Sequence, residues 1–197
     1  MTKLLVLPFI LLLSSCLSIS YPSAKISSSG KAINSDATEY ELRKVLKIRN
    51  DLLNMNPAVS LRDATVISHM AVFYPQVLTN RYKLTSPPLL HNIMVNTGRR
   101  PRGLCINWTE DLIKRSLELD PSTLDIYWAV SNRGNMLREH STLLVTARGM
   151  PLLSGYIIDP WRNSGNVYWK KATQDPKYKW EDLGVKDYNK NRHLARK

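Results

Sequence analysis

Apolar residues recur at helical spacing in two stretches near the start of the globular part of the chain. In residues 38–54 the large apolar side chains repeat every three to four positions, and Asn56 and Pro57 end the run. A second run covers residues 60–82 and contains Pro75, which should kink or divide a helix. The pattern therefore predicts two N-terminal helices, the second kinked or divided at the proline.

A third amphipathic stretch, GLCINWTEDLIKRSLELD, follows a segment rich in proline and arginine. Residues 85–102 contain two adjacent prolines and the run RRPRG, which predict a loop. Beyond it, Trp108, Leu112 and Leu119 fall on one face of a predicted helix. The helix begins either close to Cys105 or two residues later, with Asn107 as the N-cap.

Alternating and continuous apolar runs in the second half of the chain predict strands. Residues 123–131 alternate, and residues 142–147 and 152–158 flank the short connection RGMP, which is typical of a hairpin. If the hairpin folds symmetrically, opposite residues have numbers that sum to 299, which places His140 opposite Asp159. Pro151 lacks an N–H to close a two-residue turn, so a wider loop would shift this register.

Together these elements predict an α+β fold. N-terminal helices and a central helix that carries Cys105 would pack on an antiparallel sheet that carries His140 and Asp159. Opposed residues on one sheet face have Cβ atoms about 4.5–5.5 Å apart, so a hydrogen bond between the imidazole and the carboxylate is expected.

The first residues of the chain predict its cellular location. Residues 1–15 begin with a short charged segment followed by an apolar run too short to span a bilayer, which is typical of a secretory signal. The run ends in LSSC, which resembles the bacterial lipobox and implies that Cys16 is acylated. The alternatives are an ordinary signal peptide cleaved nearby or a retained anchor. We expect a bacterial cell-envelope protein held to a membrane by lipid on Cys16, on the periplasmic face, and Leu17 resembles the outer-membrane sorting pattern of enteric bacteria.

Composition divides the rest of the chain into three parts. Residues 16–37 are rich in serine and predict a flexible tether, residues 38–185 predict one domain, and residues 186–197 predict a basic disordered tail. The formal net charge is +12. In the envelope such a charge favours anionic lipids or cell-wall polymers as partners, and we expect no nucleic-acid partner.

The two cysteines of the chain have different expected roles. If Cys16 carries lipid, Cys105 has no partner for a disulfide and is either a buried, inert thiol or a reactive one. At a helix N-terminus the unpaired N–H groups and the dipole favour a thiolate, and the same N–H groups can stabilise an oxyanion. The second interpretation makes Cys105 a candidate nucleophile.

The order of these elements resembles a known enzyme core. A cysteine at the head of a helix, a histidine at the start of a strand and an aspartate at the end of the next resemble the papain-type core of the transglutaminase-like superfamily. The motifs GLC and IIDPW carry the resemblance, which covers roughly residues 90–170. Two positions differ, since Ile106 stands where the family has an aromatic residue and Ser141 follows the histidine.

The resemblance implies a catalytic triad without a cofactor or a metal. Cys105 would be the nucleophile, His140 the general base and later acid, and Asp159 the group that orients the imidazole. The thiolate would form a thioester from an amide or ester, and water or an amine would resolve it. The expected acyl donor is a wall peptide, an envelope protein or a small amide.

Further residues are candidates for binding the substrate. His91, Asn92 and Asn96 lie upstream of the cysteine and offer a second oxyanion donor, of which Asn92 is the one we choose. Trp108 and Trp161 are the candidates for lining a substrate cleft.

Two other classes of function are compatible with the same residues. A thiol, an imidazole and a carboxylate can bind Zn²⁺, although three residues so dispersed are unusual for a metal site. A tethered, non-catalytic binding module with the same fold is the second alternative. We expect His69 to be a packed or capping side chain and His193, in the basic tail, to be solvated.

Overall fold

The computed structural model describes residues 19–21, 24–26, 32–33, 38–135 and 137–183. Its helices are α1 (Glu39–Leu53), α2 (Leu61–Tyr82), α3 (Pro88–Asn96) and α4 (Cys105–Glu118). Its strands are β1 (Ile19–Tyr21), β2 (Ala24–Ile26), β3 (Ala32–Ile33), β4 (Leu124–Ser131), β5 (His140–Ala147), β6 (Tyr156–Asp159), β7 (Tyr168–Lys171) and β8 (Glu181–Asp182). The predictions for residues 1–15, Cys16 and residues 186–197 lie outside the described residues.

The fold is α+β, as the sequence predicts. Four helices accompany a five-stranded antiparallel sheet of order β7-β6-β5-β4-β8 in this part of the chain. The central strand β5 is buried along its whole length, and α4 packs against it. The main core lies between the helices and this sheet, and includes Phe73, Leu112 and Leu143.

The first helix begins and ends where its sequence signals predict. Thr38 caps α1, since its Oγ1 accepts a hydrogen bond from the Glu41 N–H at 3.3 Å and its own N–H donates to the Glu41 carboxylate at 2.8 Å. The apolar face of α1 buries Val45, Ile48 and Leu52, and α1 packs against α2. The prediction of this helix is confirmed.

The second helix is continuous through its proline. Ser60 caps α2 by accepting a hydrogen bond from the Asp63 N–H at 3.1 Å, and the helix then runs to Tyr82 with Pro75 inside it. Of the kink or division expected at Pro75, the division is absent. A proline removes one backbone hydrogen bond, and the packing of α2 against α1 and α4 holds the two halves together.

The hairpin of β5 and β6 has a different register from the predicted one. Opposite residues have numbers that sum to 301, as for Leu143 and Ile158, rather than 299. The reason is a wider connection, since residues 152–154 form a turn of 3₁₀ helix and β6 begins only at Tyr156. Because side chains alternate with a period of two, a shift of this size leaves His140 and Asp159 on one face of the sheet.

The predicted loop at residues 85–102 contains a helix, which is a second correction. Pro88 occupies the first turn of α3, where its missing N–H costs no intrahelical bond, so the adjacent prolines start a helix rather than prevent one. The strands β1, β2 and β3 fall within residues 16–37, where the sequence predicts a flexible tether, and form an antiparallel sheet of their own.

Candidate functional site

Cys105 is the first residue of α4. Leu104 is the N-cap residue, and the side-chain oxygen of Asn107 accepts hydrogen bonds from the N–H groups of Gly103 and Leu104, each at 3.1 Å. Asn107 belongs to the first turn of α4, and its side chain stabilises the turn that precedes the helix. The alternative in which Asn107 is the N-cap is wrong. Cys105 is half-buried at the end of α4 where unpaired backbone N–H groups point outward.

The turn before Cys105 is held against α3 by His91. The His91 Nδ1 accepts a hydrogen bond from the Thr85 N–H at 3.1 Å, so its Nε2 carries the proton and donates to the Arg102 carbonyl at 2.9 Å. Gly103 has a φ of +128°, and a Cβ there would lie 2.1 Å from the His91 ring. His91 is thus a structural residue, and both of its nitrogens are occupied.

His140 and Asp159 form a buried pair. The imidazole Nε2 lies 2.8 Å from the Asp159 Oδ2, so the predicted contact between the two side chains is present in spite of the shifted register. Burial opposes protonation of the imidazole, but hydrogen bonds and negative charge from Asp159 and Cys105 outweigh the burial and raise the pKa of His140 to about 9. Because Nε2 binds the carboxylate, Nδ1 is the nitrogen left for Cys105.

A second ion pair, which the sequence analysis missed, holds Asp159 in place. The Arg162 N–H donates to the Asp159 Oδ1 at 3.2 Å, and its Nε donates to Oδ2 at 3.0 Å. The same guanidinium binds both oxygens of Asp175, at 3.1 and 2.8 Å, and lies 3.9 Å from the ring centroid of Tyr168. The only sequence signal was an arginine three residues after the aspartate, since nothing in the sequence connects Asp175 to it.

Aromatic rings surround the imidazole. The ring centroid of His140 lies 4.7 Å from that of Trp161, 4.6 Å from that of Tyr178 and 5.7 Å from that of Trp180. Trp180 also donates its indole N–H to Asp175 at 3.0 Å. These rings restrict the rotation of the imidazole and exclude water from the face they cover.

A cavity of about 720 Å³ opens beside the cysteine and the histidine. Its lining includes Leu89, Asn92 and Asn96 of α3, the connection before β5, Trp161 and Tyr178. The side-chain oxygen of Asn92 accepts a hydrogen bond from the Trp161 indole N–H at 3.1 Å. Because an indole only donates, this bond fixes the orientation of the amide and leaves the Asn92 Nδ2 as a donor.

Trp108 lies in the core rather than in the cavity, so the prediction that it lines a substrate cleft is wrong. It is buried on the inner face of α4, packs edge-to-face on Tyr82 with ring centroids 4.9 Å apart, and donates its indole N–H to the Gly103 carbonyl at 3.0 Å. The helical face that carries Leu112 also carries Trp108, and that face points to the sheet and α2.

Other candidate features have simpler roles in the part of the chain that the structure describes. His69 is buried in α2, where burial and the charge of Arg49 lower its pKa to about 4.

Among residues 38–135 and 137–183, no cluster of three His, Cys, Asp or Glu side chains is arranged to hold a metal ion. The described helices include none with the length and apolar character needed to cross a bilayer.

Comparison of the chain with known protein families, with curated proteins and with solved structures finds no match. A function for this site therefore has to be argued from its geometry and chemistry.

Proposed function

We propose that the protein is an envelope-anchored thiol enzyme that hydrolyses or transfers acyl groups at amide or ester bonds. The observation that carries the proposal is the position of His140, which hydrogen bonds to Asp159 through Nε2 and lines one cavity together with Cys105, whose influence helps to raise the pKa of His140. The resemblance of the motifs around these residues to the transglutaminase-like superfamily supports the same chemistry.

Cys105 is the nucleophile of the proposed reaction, and His140 is the cation beside it. With a pKa of about 9, His140 holds its proton at neutral pH, and this positive charge favours the deprotonated sulfur. The dipole and free N–H groups of α4 act in the same direction. His140 and the N-terminus of α4 are therefore the two groups that activate the sulfur.

The reaction follows from this arrangement. The sulfur adds to the carbonyl carbon, and the electron pair of the carbonyl bond moves to oxygen. The oxyanion then collapses, the bond to the leaving amine or alcohol breaks, and the leaving group takes the proton from His140 Nδ1. Water or an amine next gives a proton to Nδ1, attacks the thioester and releases the thiolate of Cys105.

Two donors serve the oxyanion in this proposal. One is the backbone N–H of Cys105 at the start of α4, and the other is the Nδ2 of Asn92, whose orientation the Trp161 indole fixes. The shared cavity supports Asn92, although Asn96 also lines it. His91 is excluded as a donor because its N–H already binds the Arg102 carbonyl.

Trapping of an acyl-enzyme tests the proposal. In the Cys16→Ser variant, whose only thiol is Cys105, a brief reaction with p-nitrophenyl acetate followed by acid quench and mass spectrometry should show one acetyl group on Cys105. Cys105→Ala should show none, and His140→Ala should acylate far more slowly. Acylation no faster than that of a free cysteine, or acylation unaffected by His140→Ala, would favour a non-catalytic binding module with the same fold.

A further inference from the structure

The helix that borders the cavity carries an exposed apolar surface. Leu89, Leu90 and Ile93, which we call the α3 face, are 68%, 43% and 60% exposed. They lie within a nine-residue helix, and no other described element covers them. Single exposed leucines are ordinary on protein surfaces, but three large apolar residues side by side on one short helix are typical of an interaction site.

The chain segment that contains the α3 face carries charge of a single sign. The sequence contains no aspartate or glutamate between Asp63 and Glu110, whereas the segment that flanks α3 contains five cations, Arg81, Lys83, Arg99, Arg100 and Arg102. Arg102 is neutralised by Glu110 and Asp111. In the described parts of the chain, Lys83, Arg99 and Arg100 form no ion pair with an acidic residue.

The backbones of Lys83 and Arg99 meet at the side chain of Arg100. Arg100 donates from Nε to the Lys83 carbonyl at 2.7 Å and from Nη1 to the Arg99 carbonyl at 3.0 Å. Arg100 therefore ties the segment after α3, which carries Arg99, to the segment before it, which carries Lys83. Apolar side chains bordered by unpaired cations are complementary to a lipid interface with anionic headgroups.

We propose that the α3 face and these cations dock onto the surface of an anionic phospholipid membrane. Leu89 belongs both to the α3 face and to the lining of the cavity, so docking brings the mouth of the cavity to the lipid surface. If Cys105 has the function proposed above, the acyl donor is then a membrane-associated molecule. Docking itself requires neither the thiol nor the lipid on Cys16.

Vesicle sedimentation tests the docking with the full chain carrying Cys16→Ser, so that no acyl anchor contributes. Phosphatidylglycerol–phosphatidylcholine vesicles are compared with pure phosphatidylcholine vesicles. The test variant is Leu90→Ser/Ile93→Ser, which leaves the cavity lining intact. The matched control is Leu46→Ser/Leu117→Ser, which removes two leucines that are 46% and 50% exposed on α1 and α4. A third variant, Lys83→Gln/Arg99→Gln, removes two of the cations.

The proposal predicts binding to the anionic vesicles that weakens with added salt and is much weaker on pure phosphatidylcholine. Burial of even one leucine is worth roughly tenfold in affinity, so Leu90→Ser/Ile93→Ser should weaken binding by about tenfold or more while the control leaves it unchanged. The Lys83→Gln/Arg99→Gln variant removes two cations worth about 1 kcal/mol each and should weaken binding by roughly 30-fold.

Equal binding to both kinds of vesicle, or equal loss in the test and control variants, would overturn the docking. A test variant that binds vesicles normally but has a raised KM for a soluble peptide substrate would also overturn it, in favour of a peptide-docking face. Cys105→Ala should bind vesicles as well as the parent chain. A failure of docking therefore leaves the acyl-transfer proposal standing, and a failure of acyl transfer leaves docking standing.

Discussion

Replacement of Arg162 by methionine tests the ion pair that supports the candidate triad. Arg162 is the only described side chain that binds both Asp159 and Asp175, and the two side chains of the Arg162–Asp175 pair are 12% and 0% exposed. Methionine keeps much of the volume but removes the charge and three hydrogen bonds from the guanidinium to the two carboxylates. Asp175 is then buried without its cation.

The expected cost follows from what Asp175 retains. Removing one partner of a buried ion pair costs about 3–5 kcal/mol, because the remaining charge stays desolvated. Asp175 still accepts hydrogen bonds from the Lys177 N–H and the Trp180 indole N–H, each at 3.0 Å, so we expect the lower end of the range, about 3 kcal/mol. Small domains have a total free energy of unfolding of about 5–15 kcal/mol, so this loss is large.

Urea unfolding followed by circular dichroism measures this loss. A decrease of about 3 kcal/mol moves the midpoint down by roughly 1–3 M. The matched control is Arg43→Met, since Arg43 pairs with Glu39 on the surface and its loss should cost less than about 1 kcal/mol. In a double-mutant cycle, Arg162→Met combined with Asp175→Asn should be less destabilising than the sum of the single changes, with an interaction energy of about 2 kcal/mol.

Two results would contradict this expectation: a cost of Arg162→Met no larger than that of Arg43→Met, or a double-mutant cycle without interaction energy. Either result would mean that the Arg162–Asp175 pair is not coupled in solution. Asp159 would then be oriented by its strand and by His140 alone.

Three further changes test other parts of the account. The Asp159→Asn variant should remain folded, because Arg162 still pairs with Asp175. It should slow acylation of Cys105 by roughly 10³-fold or more in the p-nitrophenyl acetate assay, and full activity would show that Asp159 only ends a strand. Asn92→Ala should lower kcat by about 10²–10³-fold while the matched change Asn96→Ala has a small effect, and equal effects would remove Asn92 from the oxyanion site. Cys16→Ser should move the protein from the membrane fraction to the soluble fraction at high salt, and an unchanged membrane pool would contradict lipidation.

The helices and central strands were predictable because their signals are local. The cap at Thr38 and the apolar spacing of α1 both lie within a few residues of the helix they define. The pairing of His140 with Asp159 was also predictable, although the register was wrong, because a shift of two residues preserves the face of a strand. Local patterns therefore predicted the fold class and the His140–Asp159 pair, whereas the triad with Cys105 was implied by the resemblance of the motifs.

The features that the sequence did not predict depend on contacts between distant segments. Asp175 pairs with Arg162 only because the chain after β7 folds back to the end of β6. No local sequence pattern predicts that contact. The location of Trp108 was predicted wrongly, because an aromatic residue near a candidate nucleophile has the same sequence pattern whether it lines a cleft or packs in the core. The helix α3 was missed because adjacent prolines are more often a loop signal than a helix start.

Alkylation of Cys105 as a function of pH tests the central claim most directly. In the Cys16→Ser variant, Cys105 is the only thiol, and its rate of reaction with iodoacetamide reports its thiolate. Because the pKa of His140 is raised to about 9, the imidazolium is present at neutral pH and is lost only as the pH rises through about 9. The positive charge that favours the thiolate should therefore be in place throughout the range from about pH 6 to 8.

We predict that Cys105 of the folded protein reacts near pH 6 much faster than a free cysteine thiol does. A free cysteine thiol, with a pKa of about 8.5, is only roughly 0.3% ionised near pH 6, so His140→Ala should slow the reaction at that pH by up to roughly 100-fold. A folded Cys105 that reacts only above about pH 8, or only after denaturant exposes it, would contradict the assignment of Cys105 as the nucleophile.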